Sequence, residues 1–152
     1  GFGKRLRPHT DHTPKPLVKV GGQTLLDRTL DQLADASITD VVINTHYLGE
    51  QIETHVKDRK KPSVKISREP VLLDLGGGIK QALPFFMNEP FFVLAGDGFY
   101  ADNPGKSMLQ RMAEAWDSDL MDILLLLYPV KDMQITEGVG DYNLDQSGRA
   151  AR

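Results

Sequence analysis

The sequence predicts an α/β fold, a mostly parallel sheet with helices on both of its faces. Short apolar runs rich in β-branched residues alternate along the chain with amphipathic segments of helical periodicity. This alternation is typical of β–α–β units, whose strands lie side by side and in parallel. No linker, internal repeat or low-complexity segment interrupts the pattern, so we expect residues 1–152 to form a single domain.

The first half of the chain contains the clearest elements. Apolar residues recur at helical spacing over 24–36 and again over 48–56, so both segments are expected to be helices. The β-branched runs 41–43 and 64–66 predict two short buried strands beside them.

The second half continues the alternation, with Gly and Pro marking the element ends. The remaining elements are expected to be a helix over 79–83 that follows three glycines, a strand over 90–95, a helix over 104–116, a strand over 123–127 and a hairpin over 142–149.

Composition excludes several classes of protein. The net charge of −3 argues against nonspecific nucleic-acid binding, which requires many cations. No apolar run approaches the ~20 residues of a membrane span, so we expect no membrane partner. The chain has no cysteine, which excludes disulfides, thiol nucleophiles and Cys-ligated zinc and fits a cytoplasmic protein. Nothing in the sequence indicates the oligomeric state.

The chain opens with a glycine- and cation-rich stretch, GFGKRLRPHTDHTPKPL. Gly1 and Gly3 allow backbone N–H groups to approach a ligand closely, and such loops bind anions. The prolines around Lys15 stiffen the backbone that carries its amine. A polyphosphate would suit this stretch. A solvated, flexible basic terminus is the alternative, because a lone G-x-G is a weak signal.

Asp97 lies between two glycines directly after the predicted strand 90–95. A carboxylate in that position could bind Mg²⁺ beside bound phosphates. It could equally cap its own backbone in an Asx turn. Asp102 is expected to be a loop or helix-cap residue.

The glycine triplet 76–78 is costly to order, so it requires an explanation. A nucleobase or ribose lying flat on the backbone would supply one, and a flexible hinge is the alternative. Glu69 could orient this loop or simply be solvated. Asn44 and His46, at a strand end, could line the site. Ligands of parallel sheets bind at the carboxyl ends of the strands, where the opening loop, the triplet and Asp97 would converge.

Several motifs in this order resemble those of the sugar-1-phosphate nucleotidyltransferases. The segments that carry the resemblance are GFGKRLRP, Thr10, PKPL and VGG near the start, then VVINTHYLGEQIETHV, ISREPVLLDLGGGIKQAL and PFFVLAGDGFYAD. They cover roughly the first two thirds of the chain. The glycine triplet and YLGEQI are most similar to N-acetylmuramate-1-phosphate uridylyltransferases, with mannose-1-phosphate guanylyltransferase-like proteins next.

The resemblance implies a Rossmann-like fold and a Mg²⁺-dependent reaction of a nucleoside triphosphate, UTP or GTP, with a sugar 1-phosphate. By the same resemblance, Gly1 and Gly3 would hold the triphosphate, and Gly77 and Gly78 would border the base. The catalytic residues would be Arg5, which would contact the leaving pyrophosphate, and Lys15, which would neutralise phosphate charge. Asp97 would bind Mg²⁺.

The chain departs from the family pattern at several points. Leu75 stands beside the triplet where Thr or Ala is usual, and His9 stands where Leu is usual. We expect an apolar strand upstream of Gly1 and a sugar-binding half with a second metal-binding Asp beyond Arg152. The 152 residues alone are therefore expected to turn over poorly or not at all.

Two other functions compete with the transferase. A nucleotide-binding sensor or regulatory subunit on the same fold is one, although Arg5, Lys15 and Asp97 are all present. A dinucleotide-binding oxidoreductase is the other. It is disfavoured because a G-x-G-x-x-G fingerprint beginning at Gly1 would require glycine where the chain has Leu6.

Overall fold

The computed structural model describes residues 1–98, 105–133 and 140–151. It forms two compact units, Gly1–Pro104 and Gly105–Arg152. The single domain expected from the sequence stays a prediction, and Asp102 lies outside the described residues. Within the described ranges, no helix combines the length and the apolar character that a membrane span requires.

A parallel pair of strands is the centre of the first unit. Strand β3 (Asp40–Thr45) pairs with β4 (Ser63–Arg68) along its whole length. Helix α2 (Gly49–Val56) connects them, and its Ile52 and Val56 are buried. This β–α–β unit confirms the predicted parallel arrangement, and both strands lie where the β-branched runs indicate.

Helix α1 (Leu25–Asp35) follows a short antiparallel pair, β1 (Lys19–Val20) and β2 (Gln23–Thr24). The hydroxyl of Thr24 caps the helix by accepting a hydrogen bond from the backbone N–H of Asp27 at 3.0 Å. The leucine stripe that predicts the helix is its buried face, formed by Leu26, Leu30 and Leu33.

Helix α3 (Asp74–Ala82) corrects one expectation. The glycine triplet was expected to precede a helix over 79–83, but all three glycines lie inside α3, and residues Leu83–Phe85 form a 3₁₀ turn after it. The Asn44 side chain donates a hydrogen bond to the Gly78 carbonyl, and Glu69 accepts the N–H of Leu73 just before the helix. These contacts from outside the triplet override its low helix propensity.

The strand expected over 90–95 is also wrong as a paired strand. The described residues give this segment no ladder partner, and Phe91, Val93 and Leu94 line a cavity that Val41 and Ile43 of β3 also line. A composition typical of a strand does not by itself form a ladder, which requires a partner at hydrogen-bonding distance.

The second unit contains helix α4 (Met108–Ala115), which begins with a capping box between Ser107 and Gln110. The helix expected over 104–116 is therefore shorter in the structure. The hairpin is confirmed, as β5 (Asn143–Leu144) pairs antiparallel with β6 (Ala150–Ala151). The strand expected over 123–127 is wrong. No described strand pairs with it, and most of its side chains are exposed.

Candidate active site

A cavity of about 980 Å³ lies in the first unit. It is lined by the opening loop, the Pro14–Pro16 turn, the buried face of helix α1, strand β3, part of α3 and the segment 90–97. The sequence predicts that the opening loop, the glycine triplet and Asp97 converge. Residues of all three line this cavity.

The opening loop has a defined conformation. Gly3 has a φ of +62°, in the left-handed region that favours glycine. The hydroxyl of Thr10, which is fully buried, donates a hydrogen bond to the Gly3 carbonyl at 2.8 Å. A Cβ at Gly3 would approach the Thr10 Cβ to 3.2 Å. The loop is therefore fixed from inside by Thr10, which favours a built binding loop over a flexible terminus.

Residues of the α2 region hold the same loop from its other side. The Tyr47 hydroxyl lies 3.2 Å from the carbonyl oxygen of Thr10 and 3.0 Å from that of Asp11. Gln51 donates its side-chain amide to the carbonyl of His12 at 3.0 Å. The ring of Phe2 meets Tyr47 edge-on, with centroids 5.6 Å apart. Neither Tyr47 nor Gln51 was predicted to have a role, although both lie in VVINTHYLGEQIETHV, a segment that carries the family resemblance.

Lys15, the predicted phosphate-binding lysine, and Asp97, the predicted Mg²⁺ ligand, contact each other. The Nζ atom of Lys15 lies 2.5 Å from Oδ2 of Asp97, and the two side chains are 30% and 33% exposed. Lys15 begins a 3₁₀ turn that extends to Leu17, in which the Leu17 N–H donates to the Pro14 carbonyl at 2.8 Å. The backbone at Lys15 is thus fixed, as its flanking prolines predict, while its long side chain reaches across to Asp97.

The donors available for a metal are few. No cluster of three or more His, Asp or Glu side chains with the geometry of a metal site exists among the described residues. Asp97 is a single carboxylate at the cavity wall. Mg²⁺ is commonly held by one or two carboxylates together with substrate phosphates, so this donor fits a metal that arrives with a polyphosphate.

The exposed side chain of Asn44 connects β3 to α3 and to the buried carboxylate of Glu69. The Asn44 amide nitrogen donates to Glu69 Oε1 at 3.2 Å and to the Gly78 carbonyl at 2.9 Å. Glu69 is only 9% exposed, and its Oε2 accepts the backbone N–H of Leu73 at 3.1 Å. The Glu69 carbonyl also lies 2.9 Å from Nδ1 of His46. Glu69 therefore orients the start of α3, as the sequence suggested that it could.

A side chain would be crowded at two of the three glycines of the triplet. A Cβ at Gly77 would lie 2.8 Å from the Leu73 Cβ, and a Cβ at Gly78 would lie 2.7 Å from Glu69 Oε1. A Cβ at Gly76 would meet nothing within 4 Å. These close approaches account for Gly77 and Gly78 without a flexible hinge and do not account for Gly76. They leave the predicted contact of Gly77 and Gly78 with a base as a prediction.

His55 lies outside this cavity, on α2. Its Nε2 is 2.9 Å from Asp27 Oδ2, and Arg59 pairs with both Asp27 and Asp31. Partial burial would by itself raise the pKa of Asp27, but the Thr24 hydrogen bond and the charges of His55 and Arg59 outweigh it, so the pKa is lowered. This cluster connects α1 to α2 and has a structural role.

The predicted site residues are mostly brought together. Those that line the cavity are Gly1, Gly3, Arg5, Lys15, Gly78 and Asp97, and Asn44, His46 and Glu69 line it with them. Gly77 is not among the lining residues. The functional roles of these residues stay predictions. What the structure shows is that residues far apart in sequence line one cavity, and that one of its cations, Lys15, contacts Asp97.

Comparison with known proteins identifies the family to which the chain belongs. Residues 1–138 match the model of the nucleotidyl transferase family, and the chain belongs to that family. Its membership agrees with the α/β fold, the parallel pair β3–β4 and the glycine loop beside a cavity.

The chain is also similar to individual proteins whose activities are named. The chain is 37% identical to an N-acetylmuramate alpha-1-phosphate uridylyltransferase of Caulobacter vibrioides, over 97% of this chain and 63% of that protein. It is 44% identical to a Neisseria meningitidis protein of the same name, over 64% of this chain and 43% of that one. A mannose-1-phosphate guanylyltransferase catalytic subunit beta of Drosophila melanogaster is 37% identical over 72% and 31%. The chain thus spans less than two thirds of the length of these relatives.

Proposed function

We propose that the intact protein transfers a nucleotidyl group from a nucleoside triphosphate to a sugar 1-phosphate. The products are an NDP-sugar and pyrophosphate. The observation that carries the proposal is the meeting of Lys15 and Asp97, 2.5 Å apart, at a cavity that the ordered glycine loop also lines. A cation, a carboxylate and a loop of backbone amides are the groups that phosphoryl chemistry uses.

The reaction needs no covalent intermediate with the protein. A phosphate oxygen of the sugar 1-phosphate attacks the α-phosphorus and forms the new P–O bond, while the bond from the α-phosphorus to the bridging oxygen of the β-phosphate breaks. The electron pair leaves with pyrophosphate. The protein's tasks are to hold the reactants in line and to neutralise charge that develops on the oxygens.

Each task has a residue in this chain. Gly1 and Gly3 offer backbone N–H groups to the triphosphate from a loop that Thr10 and Tyr47 fix. Lys15 reaches the phosphates from its rigid turn and neutralises the α-phosphoryl charge. Arg5, on the same loop, faces the leaving pyrophosphate. The start of α3, held by Glu69 and Asn44, borders the base.

Asp97 is the proposed ligand of Mg²⁺. When bound there with the phosphates, the ion would supply charge neutralisation at the reacting phosphoryl group. The position of the carboxylate in the lining of the cavity supports this assignment.

UTP is the nucleotide that we propose first, and GTP is the alternative. The uridylyltransferase of Caulobacter vibrioides matches 97% of this chain, and the guanylyltransferase subunit of Drosophila melanogaster matches 72%. By the same likeness N-acetylmuramate 1-phosphate is the first sugar to test, which would place the protein in cell-wall sugar metabolism. A cytoplasmic location stays part of this proposal.

A substrate grid tests the proposal. Pyrophosphate release by the intact protein with Mg²⁺ would be measured for UTP, GTP, CTP and dTTP, each with N-acetylmuramate-, N-acetylglucosamine-, glucose- and mannose-1-phosphate. Release that requires one nucleotide and one sugar phosphate together supports the transferase and identifies both substrates. Nucleotide binding without release from any pair would favour a sensor instead.

A further inference from the structure

The contact between Lys15 and Asp97 has a consequence for metal binding. Oδ2 of Asp97, the carboxylate proposed for Mg²⁺, lies 2.5 Å from the Lys15 ammonium. In the described part of the chain, Asp97 has no other ion-pair partner. The ammonium therefore already neutralises the charge that would attract a metal.

Two cations cannot share this carboxylate without cost. An ammonium and a divalent ion a few ångströms apart repel each other, and the two side chains are about two thirds buried, which weakens solvent screening. A metal on Asp97 thus requires the Lys15 amine to move away. That movement is favourable only where another anion receives the amine, and a triphosphate on the glycine loop is such an anion.

The local structure allows this exchange. The backbone at Lys15 is fixed by its 3₁₀ turn, in which the Val18 N–H donates to the Lys15 carbonyl at 3.1 Å. The side chain, by contrast, is a flexible four-carbon stem that ends in a point charge. Lys15 lines the same cavity as Gly1, Gly3 and Arg5. Rotation of the side chain alone can redirect the amine from Asp97 toward the opening loop that carries Gly1 and Gly3.

We infer that Lys15 is an exchangeable counter-ion of Asp97. In the absence of nucleotide, Lys15 keeps divalent metal off this carboxylate, and its movement couples metal binding to nucleotide binding. The inference rests on the proposed function, since it takes Asp97 as the metal ligand and a nucleotide as the second partner of Lys15. Coupling of this kind is reciprocal, so metal and nucleotide each strengthen binding of the other through the movement of one amine.

The test measures metal binding without nucleotide, so that it is independent of turnover. Mn²⁺ affinity of the intact protein would be measured by electron paramagnetic resonance. We expect Lys15→Met to bind Mn²⁺ about tenfold more tightly than the wild type, an effect within the usual range of coupling between sites. Lys15→Arg, which keeps the charge, is expected to stay as weak as the wild type.

Two further variants separate the inference from general charge effects and from failure of the proposed function. Lys4→Met removes a cation from the same loop, where Lys4 lies against the Phe2 ring rather than on Asp97, and is expected to leave the Mn²⁺ affinity unchanged. Asp97→Asn combined with Lys15→Met should abolish the gain.

Each outcome decides the question. No gain in Lys15→Met, including the case in which neither protein binds Mn²⁺, overturns the counter-ion role but leaves the transferase proposal standing. An equal gain in Lys4→Met shows that net charge rather than exchange is responsible, and also overturns it. A gain that survives Asp97→Asn overturns both the exchange and the assignment of Asp97 as the metal ligand.

Discussion

The side-chain amide of Asn44 lies 2.9 Å from the carbonyl oxygen of Gly78 and 3.2 Å from Glu69 Oε1. The side chain of Asn44, at the end of β3, thus connects this strand to helix α3 and to the buried carboxylate of Glu69. That carboxylate orients the start of α3. The proposed base-binding surface depends on this connection, because nothing in the glycines themselves can set the position of α3.

Replacement of Asn44 tests this connection. Asn44→Ala removes both hydrogen bonds and is expected to lower the free energy of unfolding by about 1–3 kcal/mol. Asn44→Asp should lower it further, because a second carboxylate would face Glu69. Denaturant unfolding measures both, and the KM for the nucleotide should rise in each variant. Equal stability of the two variants would contradict the donor role of the amide.

The glycines of α3 give a matched pair of variants. Gly77→Ala places a Cβ 2.8 Å from the Cβ of Leu73, an atom that cannot move without its backbone. We expect a loss of about 1–3 kcal/mol in the free energy of unfolding. Gly76→Ala meets open space and should be neutral or stabilising by up to about 1 kcal/mol, since alanine favours helix.

The same measurement distinguishes packing from ligand contact at this position. If Gly77 is present only for a base, then Gly77→Ala would unfold at the same denaturant concentration as Gly76→Ala. Only nucleotide affinity would then differ between the two.

Tyr47 is expected to act on the nucleotide through the loop that it holds. Tyr47→Phe keeps the ring against Phe2 but removes the hydroxyl that lies 3.0 Å from the Asp11 carbonyl. Loosening of the loop should raise the KM for the nucleoside triphosphate about threefold to tenfold, the effect of one lost hydrogen bond. Steady-state kinetics measure this change. Tyr128→Phe, in the second unit, is the control, and an equal effect there would refute a role of the loop.

Asp27 makes stability depend on pH in a defined direction. Its pKa lies below the ordinary value of 3.8 in the folded protein. The carboxylate therefore contributes stability above its unfolded pKa, and this contribution is lost as the pH falls through the lower folded value. Urea unfolding near pH 6 and near pH 3 should show a smaller loss on acidification in Asp27→Asn than in the wild type. Asp35→Asn, exposed on the same helix, should behave as the wild type.

The elements that could be predicted from the sequence are those whose signal is local. The leucine stripe of α1 and the β-branched runs of β3 and β4 each fix an element by periodicity, and the structure agrees with all three. The sequence also predicted that the loop with Gly3 and the residue Asp97 would converge, and both line the cavity, whereas anion binding by the loop stays a prediction. The buried hydroxyl of Thr10 that fixes the loop was not given this role.

The features that could not be predicted depend on partners distant in sequence. Glycine propensity alone argues against a helix at the triplet, whereas Asn44 donates to the Gly78 carbonyl and Glu69 accepts the Leu73 N–H at the start of α3. The segment 90–95 has the composition of a strand, yet pairing is a property of the neighbour and not of the segment. Lys15 and Asp97 were each predicted as site residues, but their contact depends on the fold.

The central claim is that this cavity binds a nucleoside triphosphate for transfer to a sugar phosphate, with Asp97 as the residue that makes transfer metal-dependent. The most direct test is pyrophosphate release by the intact protein with UTP, Mg²⁺ and N-acetylmuramate 1-phosphate, and by Asp97→Asn and the exposed-site control Asp58→Asn. GTP with mannose 1-phosphate is the second pair.

We predict release only when nucleotide and sugar phosphate are both present, a loss of at least about a hundredfold in Asp97→Asn, and no loss in Asp58→Asn. Release without sugar phosphate would indicate hydrolysis rather than transfer. Undiminished release from Asp97→Asn would contradict the proposal that Asp97 makes the transfer metal-dependent.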